Sequence, residues 1–144
     1  MKISTRGRYG VRLLLDLARE GGDSHTPLAV IAERQHISAR YLEQVAVVLR
    51  RGGYIRSVKG ASGGYVLAKL PVDIIIGDVL RLLEGDILVV DPYRPEENET
   101  SFQRCIRGMV YDRLNDTVAG VLDRLTLAGM IGGHDPDEGY MFFI

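Results

Sequence analysis

The chain has 144 residues with a formal net charge of −1, 46% hydrophobic residues and one cysteine, which suits one domain with an appended element. A single cysteine excludes an internal disulfide and falls short of the four ligands of a structural zinc or iron-sulfur site. The sequence has no apolar stretch near the roughly 20 residues that cross a bilayer, so a cytoplasmic protein without membrane contact is predicted.

Charge is divided unevenly on either side of Pro71. Residues 1–70 hold 12 Lys or Arg against 5 Asp or Glu, a net charge of +7, whereas residues 71–144 hold 6 against 14, a net charge of −8. This division predicts an N-terminal half that binds a polyanion and a C-terminal half with a different role. The alternative is two ordinary surfaces that happen to differ.

Two helices are predicted before residue 37. The segment RYGVRLLLDLARE, residues 8–20, has apolar side chains at helical spacing, and the glycines of GGD end it. The segment TPLAVIAERQ predicts a second, short helix. Thr26 is its expected N-cap, and Pro27 is expected at the first helical position, where its fixed φ suits a helix start.

A third helix and a β-hairpin complete the N-terminal half. SARYLEQVAVVLRRGG predicts a helix capped by Ser38 and ended by Gly52, with a buried stripe of Leu42, Val45, Ala46 and Leu49. Two short β-branched and aromatic segments follow, YIRSV and GYVLA, and their glycine-bearing connection is typical of a hairpin. Three helices and a hairpin predict a winged helix-turn-helix domain over residues 1–70.

Residues 71–144 are predicted to be a dimerisation and regulatory region. A short helix between Ile76 and Leu83 precedes GDILVV, a predicted apolar strand that leads into an acidic loop over about 91–100; a tail over 134–144 ends the chain. A long helix over about 101–125 carries an apolar row of Ile106, Val110, Leu114, Val118 and Leu122. The small domain before it cannot cover so long a row, so a homodimer through this helix is predicted. Alternatively, the helix folds back on its own domain.

The glycine-rich segment VKGASGGYVL, residues 58–67, has the wrong order for a nucleotide-phosphate loop. A Walker loop has its lysine after the glycines and leads into a helix, whereas Lys59 precedes the glycines and a strand follows. The order predicts a hairpin tip with a cation at its base, suited to a nucleic-acid backbone or a narrow minor groove. A purely structural turn is the alternative.

The exposed face of the third helix is the candidate element for the major groove. Its first turns carry Arg40, Glu43 and Gln44, beside Tyr41, and these side chains can pair with guanine, cytosine and adenine respectively. Contacts to phosphate are predicted for a set of cations: Arg6, Arg8, Arg12, Arg50, Arg51, Arg56 and Lys59. The alternative for any single one of these cations is an ordinary solvated surface charge that does not contact DNA.

The sequence contains no recognisable catalytic motif. A Ser, His and acid set, H-E-x-x-H, C-x-x-C and a nucleophile elbow are all missing from it. An enzyme is therefore not predicted. The alternative to a DNA-binding regulator, from a different functional class, is a protein-interaction module whose basic half binds no specific DNA.

Three segments of the chain resemble a known family: MKISTRGRYGVRLLLDLA, ISARYLEQVAVVLRRGGYIRSVKGASGGYVLA and DVLRLLEG. Together they are similar to the Rrf2 family of bacterial winged-helix transcription regulators over nearly the whole chain. The resemblance implies a mainly α fold with a small β-hairpin wing, and homodimers on palindromic operators in double-stranded DNA. It places Ser38, Arg40, Tyr41, Glu43 and Gln44 on the recognition helix in the major groove, and Ser57, Lys59, Gly60 and Gly64 on the wing in the minor groove. Some members have arginine in place of Lys59, which predicts weaker insertion here.

Cluster-binding members of the family carry three closely spaced cysteines in the loop and at the start of the long helix. This chain has Cys105 alone, so no iron-sulfur centre and no other cofactor or metal is predicted. Cys105 is either a redox-sensing thiol, whose thiolate Arg104 and Arg107 favour, or an ordinary cysteine of the helix. An iron-sulfur or redox-sensing regulator is accordingly the alternative function.

The chain end, DEGYMFFI, resembles the tail of the family branch that represses cysteine metabolism. This implies a repressor of cysteine and sulfur metabolism genes in complex with O-acetylserine sulfhydrylase, whose active site accepts peptide tails ending in isoleucine. A carboxylate on an apolar residue suits a pocket of backbone amides. The implied partner-binding residues are Tyr140, Met141, Phe142, Phe143 and Ile144. Alternatively, this segment packs on its own dimer as a final strand.

Overall fold

Helices dominate residues 1–135 and 139–140, the part of the chain that the computed structural model describes. The helices are α1 (Thr5–Asp16, continued by a π-helical turn, Leu17–Gly21), α2 (Leu28–Gln35), α3 (Ala39–Arg51), α4 (Ile76–Glu84), α5 (Ser101–Ile106), α6 (Asp112–Arg124) and α7 (Leu127–Gly132). The strands are β1 (Ile55–Val58), β2 (Gly64–Leu67), β3 (His134–Asp135) and β4 (Gly139–Tyr140). Over the described residues, none of the helices is long and apolar enough to span a membrane.

The three N-terminal helices confirm the predicted helix-turn-helix order. Ser38 caps α3, with its hydroxyl accepting from the Tyr41 amide at 3.4 Å, and Gly52 follows the last residue of α3. The prediction that Thr26 caps α2 is wrong, because Pro27 is the N-cap. Thr26 instead pairs its backbone with Tyr65 of β2, through N to O distances of 2.9 and 2.8 Å.

The predicted wing is an antiparallel hairpin of β1 and β2. Its register pairs Ile55 with Leu67 and Val58 with Gly64. A Cβ added at Gly64 would lie 2.3 Å from the carbonyl of Thr26, so only glycine allows this approach between wing and helical body. The wing is thus attached at its base through the Thr26 bridge.

One hydrophobic core extends across residue 70. Leu13, Leu14 and Leu49 are fully buried, and α4 and α7 add Val79 and Leu127 to the same cluster. Helix α1 lies against both α3 and α4. The helix-turn-helix elements and the first helix of the C-terminal half therefore fold around shared apolar side chains, and the functional division at residue 70 stays a prediction.

The predicted long helix is formed by α5, a π-helical turn (Arg107–Tyr111) and α6, with right-handed helical backbone at both junctions. Val118 and Leu122 pack against the core, whereas Ile106, Val110 and Leu114 are exposed. The fold-back alternative therefore holds for the second half of the apolar row. Its first half is left uncovered in the single chain.

The predicted strand over GDILVV is wrong: residues 86–90 have no strand assignment. The Asn115 side chain replaces a neighbouring strand, since its oxygen accepts from the Val89 amide at 2.8 Å and its nitrogen donates to the Val90 carbonyl at 2.8 Å. Helix α7 and the β3 and β4 hairpin were not predicted. Of the tail, Tyr140 pairs with His134, and Met141, Phe142, Phe143 and Ile144 lie outside the described residues.

Candidate nucleic-acid interface

One exposed face of α3 brings the predicted base-contacting residues together. Arg40, Glu43, Gln44 and Arg51 are all exposed and share this face at helical spacing, opposite the buried Leu42. At 1.5 Å per residue, Arg40 and Arg51 are about 16 Å apart along the helix axis. A major groove is about 12 Å wide, so the start of α3 can meet base edges while its end meets phosphates.

Tyr41 lies to one side of this face. Its ring is partly buried and meets the ring of Tyr9 in α1 edge to face, with centroids 5.5 Å apart and an interplanar angle of 88°. Tyr41, Gln44, Val45 and Arg6 line a cavity of about 260 Å³ between the two helices. The Tyr41 ring therefore belongs to the α1 and α3 contact.

The wing places Ser57, Lys59 and Gly60 together at its exposed end. Gly60 has a φ of +119°, a conformation that glycine adopts without strain, and its carbonyl accepts from the Gly63 amide at 3.0 Å. Gly64 is half-buried against Thr26, so its place in the fold already explains its residue type. Of the wing residues that the resemblance implies, Ser57, Lys59 and Gly60 are exposed and Gly64 is not.

Cations of α3 and the wing have no ion-pair partner among the described residues. Ion pairs instead form at Arg34 with Asp16, Arg81 with Asp78 and Asp123, Arg107 with Glu99 and Asp112, and Arg104 with Glu99. The hydrogen bond that the Arg34 guanidinium donates to Asp16 raises the pKa of Arg34, and the one that Arg81 donates to Asp123 raises the pKa of Arg81. Exposed cations without an ion pair among the described residues include Lys2, Arg19, Lys69, Arg94, Arg113 and Arg124 elsewhere in the chain. The predicted DNA contacts among them are Arg6, Arg8, Arg40, Arg50, Arg51, Arg56 and Lys59. These are the groups that a polyanion would neutralise.

Arg12 is an exception to the predicted phosphate contacts. It is partly buried, and its guanidinium donates to the carbonyl of Gln35 and, at 3.3 Å from Nε, to the Gln35 side-chain oxygen. The guanidinium also lies 5.2 Å from the ring centroid of Tyr9. Arg12 is therefore occupied by contacts within the protein.

Two acidic residues that hold α1 in place are missing from the sequence predictions. Asp16 is only 4% exposed and accepts from Arg34 and Gln35 of α2. Glu84 of α4 accepts from the Ser4 amide, the Ser4 hydroxyl and the Gly7 amide at the start of α1. The position of Asp16 between buried leucines was a sequence signal for its role. Glu84 lies 80 residues from Ser4, so no local pattern indicated its role.

The surroundings of Cys105 do not fit a metal cluster. Its exposed sulfur lies 3.5 Å from the Met109 sulfur, and no three His, Cys, Asp or Glu side chains of the described residues could together hold a metal ion. Arg104 and Arg107, expected to favour a thiolate, both form ion pairs with Glu99. Of the features expected of a redox-sensing thiol, Cys105 retains only its exposure.

Comparison with known proteins agrees with this architecture. Residues 3–133 match the family model Rrf2, "Iron-dependent Transcriptional regulator". The HTH-type transcriptional regulator CymR of Bacillus subtilis strain 168 is 40% identical over the full length of both chains. IscR of Serratia proteamaculans strain 568 is 35% identical over 94% of this chain and 82% of its own length.

Among solved structures, CymR, the global cysteine regulator of B. subtilis, superposes with a TM-score of 0.82 and 39% identity, covering 94% of this chain and 99% of its own. Those values link the helix order, the wing and the long helix to one family of winged-helix proteins. A family match over residues 3–133 and a relative aligned over its whole length leave no part of the described fold unaccounted for. The chain therefore belongs to the Rrf2 family of DNA-binding transcriptional regulators.

Proposed function

We propose that the chain is a homodimeric repressor of cysteine and sulfur metabolism genes that acts in the cytoplasm on palindromic operators. The observation that supports DNA contact through α3 and the wing is their set of exposed cations, which have no carboxylate partner in the part of the chain that the structure describes. The choice of target genes rests on the full-length similarity to CymR. Footprinting on promoters of cysteine biosynthesis genes tests it, and protection no better than on random duplex would reject it in favour of a protein-interaction module.

The exposed apolar side chains of the long helix support the homodimer. Phe102, Met109 and Val121 are 81%, 63% and 64% exposed, and Ile106, Val110 and Leu114 are each more than 40% exposed. Burying such a row against the same row of a second copy gives a two-fold dimer, which matches two half-sites of a palindrome. Sedimentation equilibrium of the native chain tests this, and a monomer at micromolar concentration contradicts it.

Base contacts and phosphate contacts are separable by mutation. We expect Gln44→Ala or Glu43→Ala to change which duplexes a randomised pool yields, because side chains on the α3 face contact base edges. Lys59→Ala and Arg51→Ala should weaken binding to all duplexes and make its salt dependence shallower by about one unit of slope. An unchanged sequence preference in both Gln44→Ala and Glu43→Ala would contradict base contact by α3.

A partner protein is the proposed source of regulation. The resemblance of residues 140–144 to the tail of cysteine-metabolism repressors supports docking into the active site of O-acetylserine sulfhydrylase. A pull-down with purified sulfhydrylase compares the full chain with a variant lacking Met141 to Ile144. We expect the variant to lose binding and O-acetylserine to release the full chain; undiminished binding by the variant contradicts the proposal.

Iron-sulfur or redox sensing is the second candidate, and the similarity to IscR and the family's description as iron-dependent favour it. The single cysteine opposes it, since cluster sites take several thiolates and the chain has one. Anaerobic purification with iron analysis separates the two. Stoichiometric iron with visible absorption would favour the cluster, and a DNA affinity that changes on oxidation of Cys105 would favour the thiol.

A further inference from the structure

Helix α1 holds the turn that leads into α3. Gln35 is the last residue of α2, His36 follows in a left-handed conformation with φ of 54°, and Ser38 caps α3. Arg12 of α1 donates to the Gln35 carbonyl and to the Gln35 side-chain oxygen. The end of α2 is therefore attached to α1 immediately before the turn.

The same arginine is connected to the other side of the turn through two aromatic rings. Its guanidinium carbon lies 5.2 Å from the ring centroid of Tyr9, and that ring meets Tyr41 edge to face. Tyr41 is the third residue of α3. Neighbouring side chains of α1 thus contact α2 before the turn and α3 after it.

A buried carboxylate fixes the position of Gln35. The Gln35 amide donates to Asp16 at 2.9 Å, and Arg34 donates to the same carboxylate through Nε and Nη2. The Asp16 side chain is 1% exposed, and a buried carboxylate with three donors has a defined geometry. Gln35 therefore presents its side-chain oxygen to Arg12 from a rigid support.

We propose that Arg12 is a positioning residue that sets the angle of α3 in the major groove, and that it is not a phosphate contact. The inference rests on the proposed role of α3 in base contact. Several base edges are contacted together only if the helix orientation is held closely, whereas contacts to phosphate tolerate a changed angle. Loss of Arg12 should therefore lower sequence selectivity more than overall affinity for DNA.

Lysine cannot replace Arg12 in this role. The guanidinium donates through two nitrogens and lies over a ring at the same time, and an ammonium group does neither as well. At a phosphate contact, by contrast, lysine keeps the positive charge that releases counterions. Arg12→Lys consequently separates the two roles.

The experiment uses the full chain and two duplexes: the best sequence that the native protein enriches from a randomised pool, and a random duplex of equal length. Dissociation constants are measured at several salt concentrations for Arg12→Lys, Arg12→Gln and the control Arg8→Gln. Arg8 is exposed and bonds only to the Thr5 hydroxyl among the described residues. Thermal unfolding of each variant verifies that it folds.

We expect both Arg12 variants to lose about tenfold in affinity for the selected duplex, the usual size of one lost base contact, with the affinity for the random duplex and the salt slope nearly unchanged. Arg8→Gln should weaken both duplexes and reduce the slope by about one. Should Arg12→Gln unfold, Tyr9→Leu removes the stacked ring without a change of charge. It should give the same loss of selectivity.

The inference is overturned if Arg12→Gln weakens binding to both duplexes equally and reduces the salt slope by about one while Arg12→Lys behaves like the native protein. Arg12 would then be a phosphate contact. Native selectivity in Tyr9→Leu would also contradict the inference. If the native protein enriches no sequence from the pool, the proposed function itself fails. The two failures are therefore distinguishable.

Discussion

The helical body and the start of the long helix use apolar residues in opposite ways. In the body, Leu13, Leu42 and Leu49 are completely buried. Over residues 101–114, no residue is buried, and Phe102 and Met109 are among the most exposed apolar side chains of the described chain. The body therefore gains stability from its own core, whereas the long helix has apolar surface for a partner to bury.

Arg107 and the arginines of α3 also differ in their partners, although Arg113, farther along the long helix, is likewise exposed without an ion pair among the described residues. Arg107 of the long helix is held by Glu99 at 2.7 Å and by Asp112 at 3.0 Å. Arg40 and Arg51 of α3 are exposed without an ion pair among the described residues. Neutralised charge next to an apolar surface suits contact between protein chains, and uncompensated charge suits contact with nucleic acid.

Core truncation should have the largest effect on stability. Leu49→Ala removes a fully buried side chain and should lower the free energy of unfolding by about 2 to 5 kcal/mol. Met109→Ala, on the exposed half of the long helix, is the matched control and should change this free energy, measured below the dimer dissociation constant, by about 0.5 kcal/mol or less. Urea unfolding measures both; similar losses would remove the distinction between the regions.

Charge placed on the exposed row should separate the subunits without unfolding them. We expect Val110→Asp with Leu114→Asp to give a monomer by sedimentation, since both side chains would be buried in the dimer. Affinity for a palindromic operator should fall roughly a hundredfold because one half-site is lost. Val72→Asp, at an apolar residue that is 60% exposed outside this row, is the control. A dimer that survives the double substitution contradicts the proposed interface.

Local sequence signals account well for α3 and the wing. The Ser38 cap, the terminal Gly52 and the buried stripe all lie in one continuous segment, residues 38–52, so periodicity and capping preferences are sufficient. The exposed faces of α3 and the wing could be predicted for the same reason. Thr26 shows the limit, because its backbone pairs with Tyr65, almost 40 residues away.

Contacts between distant segments could not be predicted. Asn115 replaces a strand partner for residues 89 and 90, and no periodicity indicates a side-chain amide in that role. The apolar row of the long helix was predicted, but its division after Leu114 depends on where α4 meets α6. At the candidate site, the residue type of Arg12 indicated a cation, and only its contact with Gln35 shows how that cation is used.

A contact between the halves of the chain should have an intermediate effect. Glu84→Ala removes the carboxylate that accepts from Ser4 and Gly7 at the start of α1, and helix caps are worth about 1 to 2 kcal/mol. Glu33→Ala, an exposed residue of α2, is the control, with little change expected. Equal urea midpoints for the two variants would show that α4 does not support α1 in this way.

The smallest effect should be a pH-dependent change in Tm from the ion pair at the start of the long helix. The hydrogen bond from Arg107 holds the pKa of Glu99 below its ordinary value. Because the folded-state pKa is lowered, the stabilisation is fully present above the ordinary glutamate pKa of about 4.3 and is lost as pH falls through the folded value. Glu99→Gln should thus lower Tm at pH 7 by about 2 °C. That difference should vanish toward pH 2, while the exposed control Glu96→Gln matches the native chain throughout. A Tm difference that persists undiminished in acid would show that Glu99 acts through packing rather than charge.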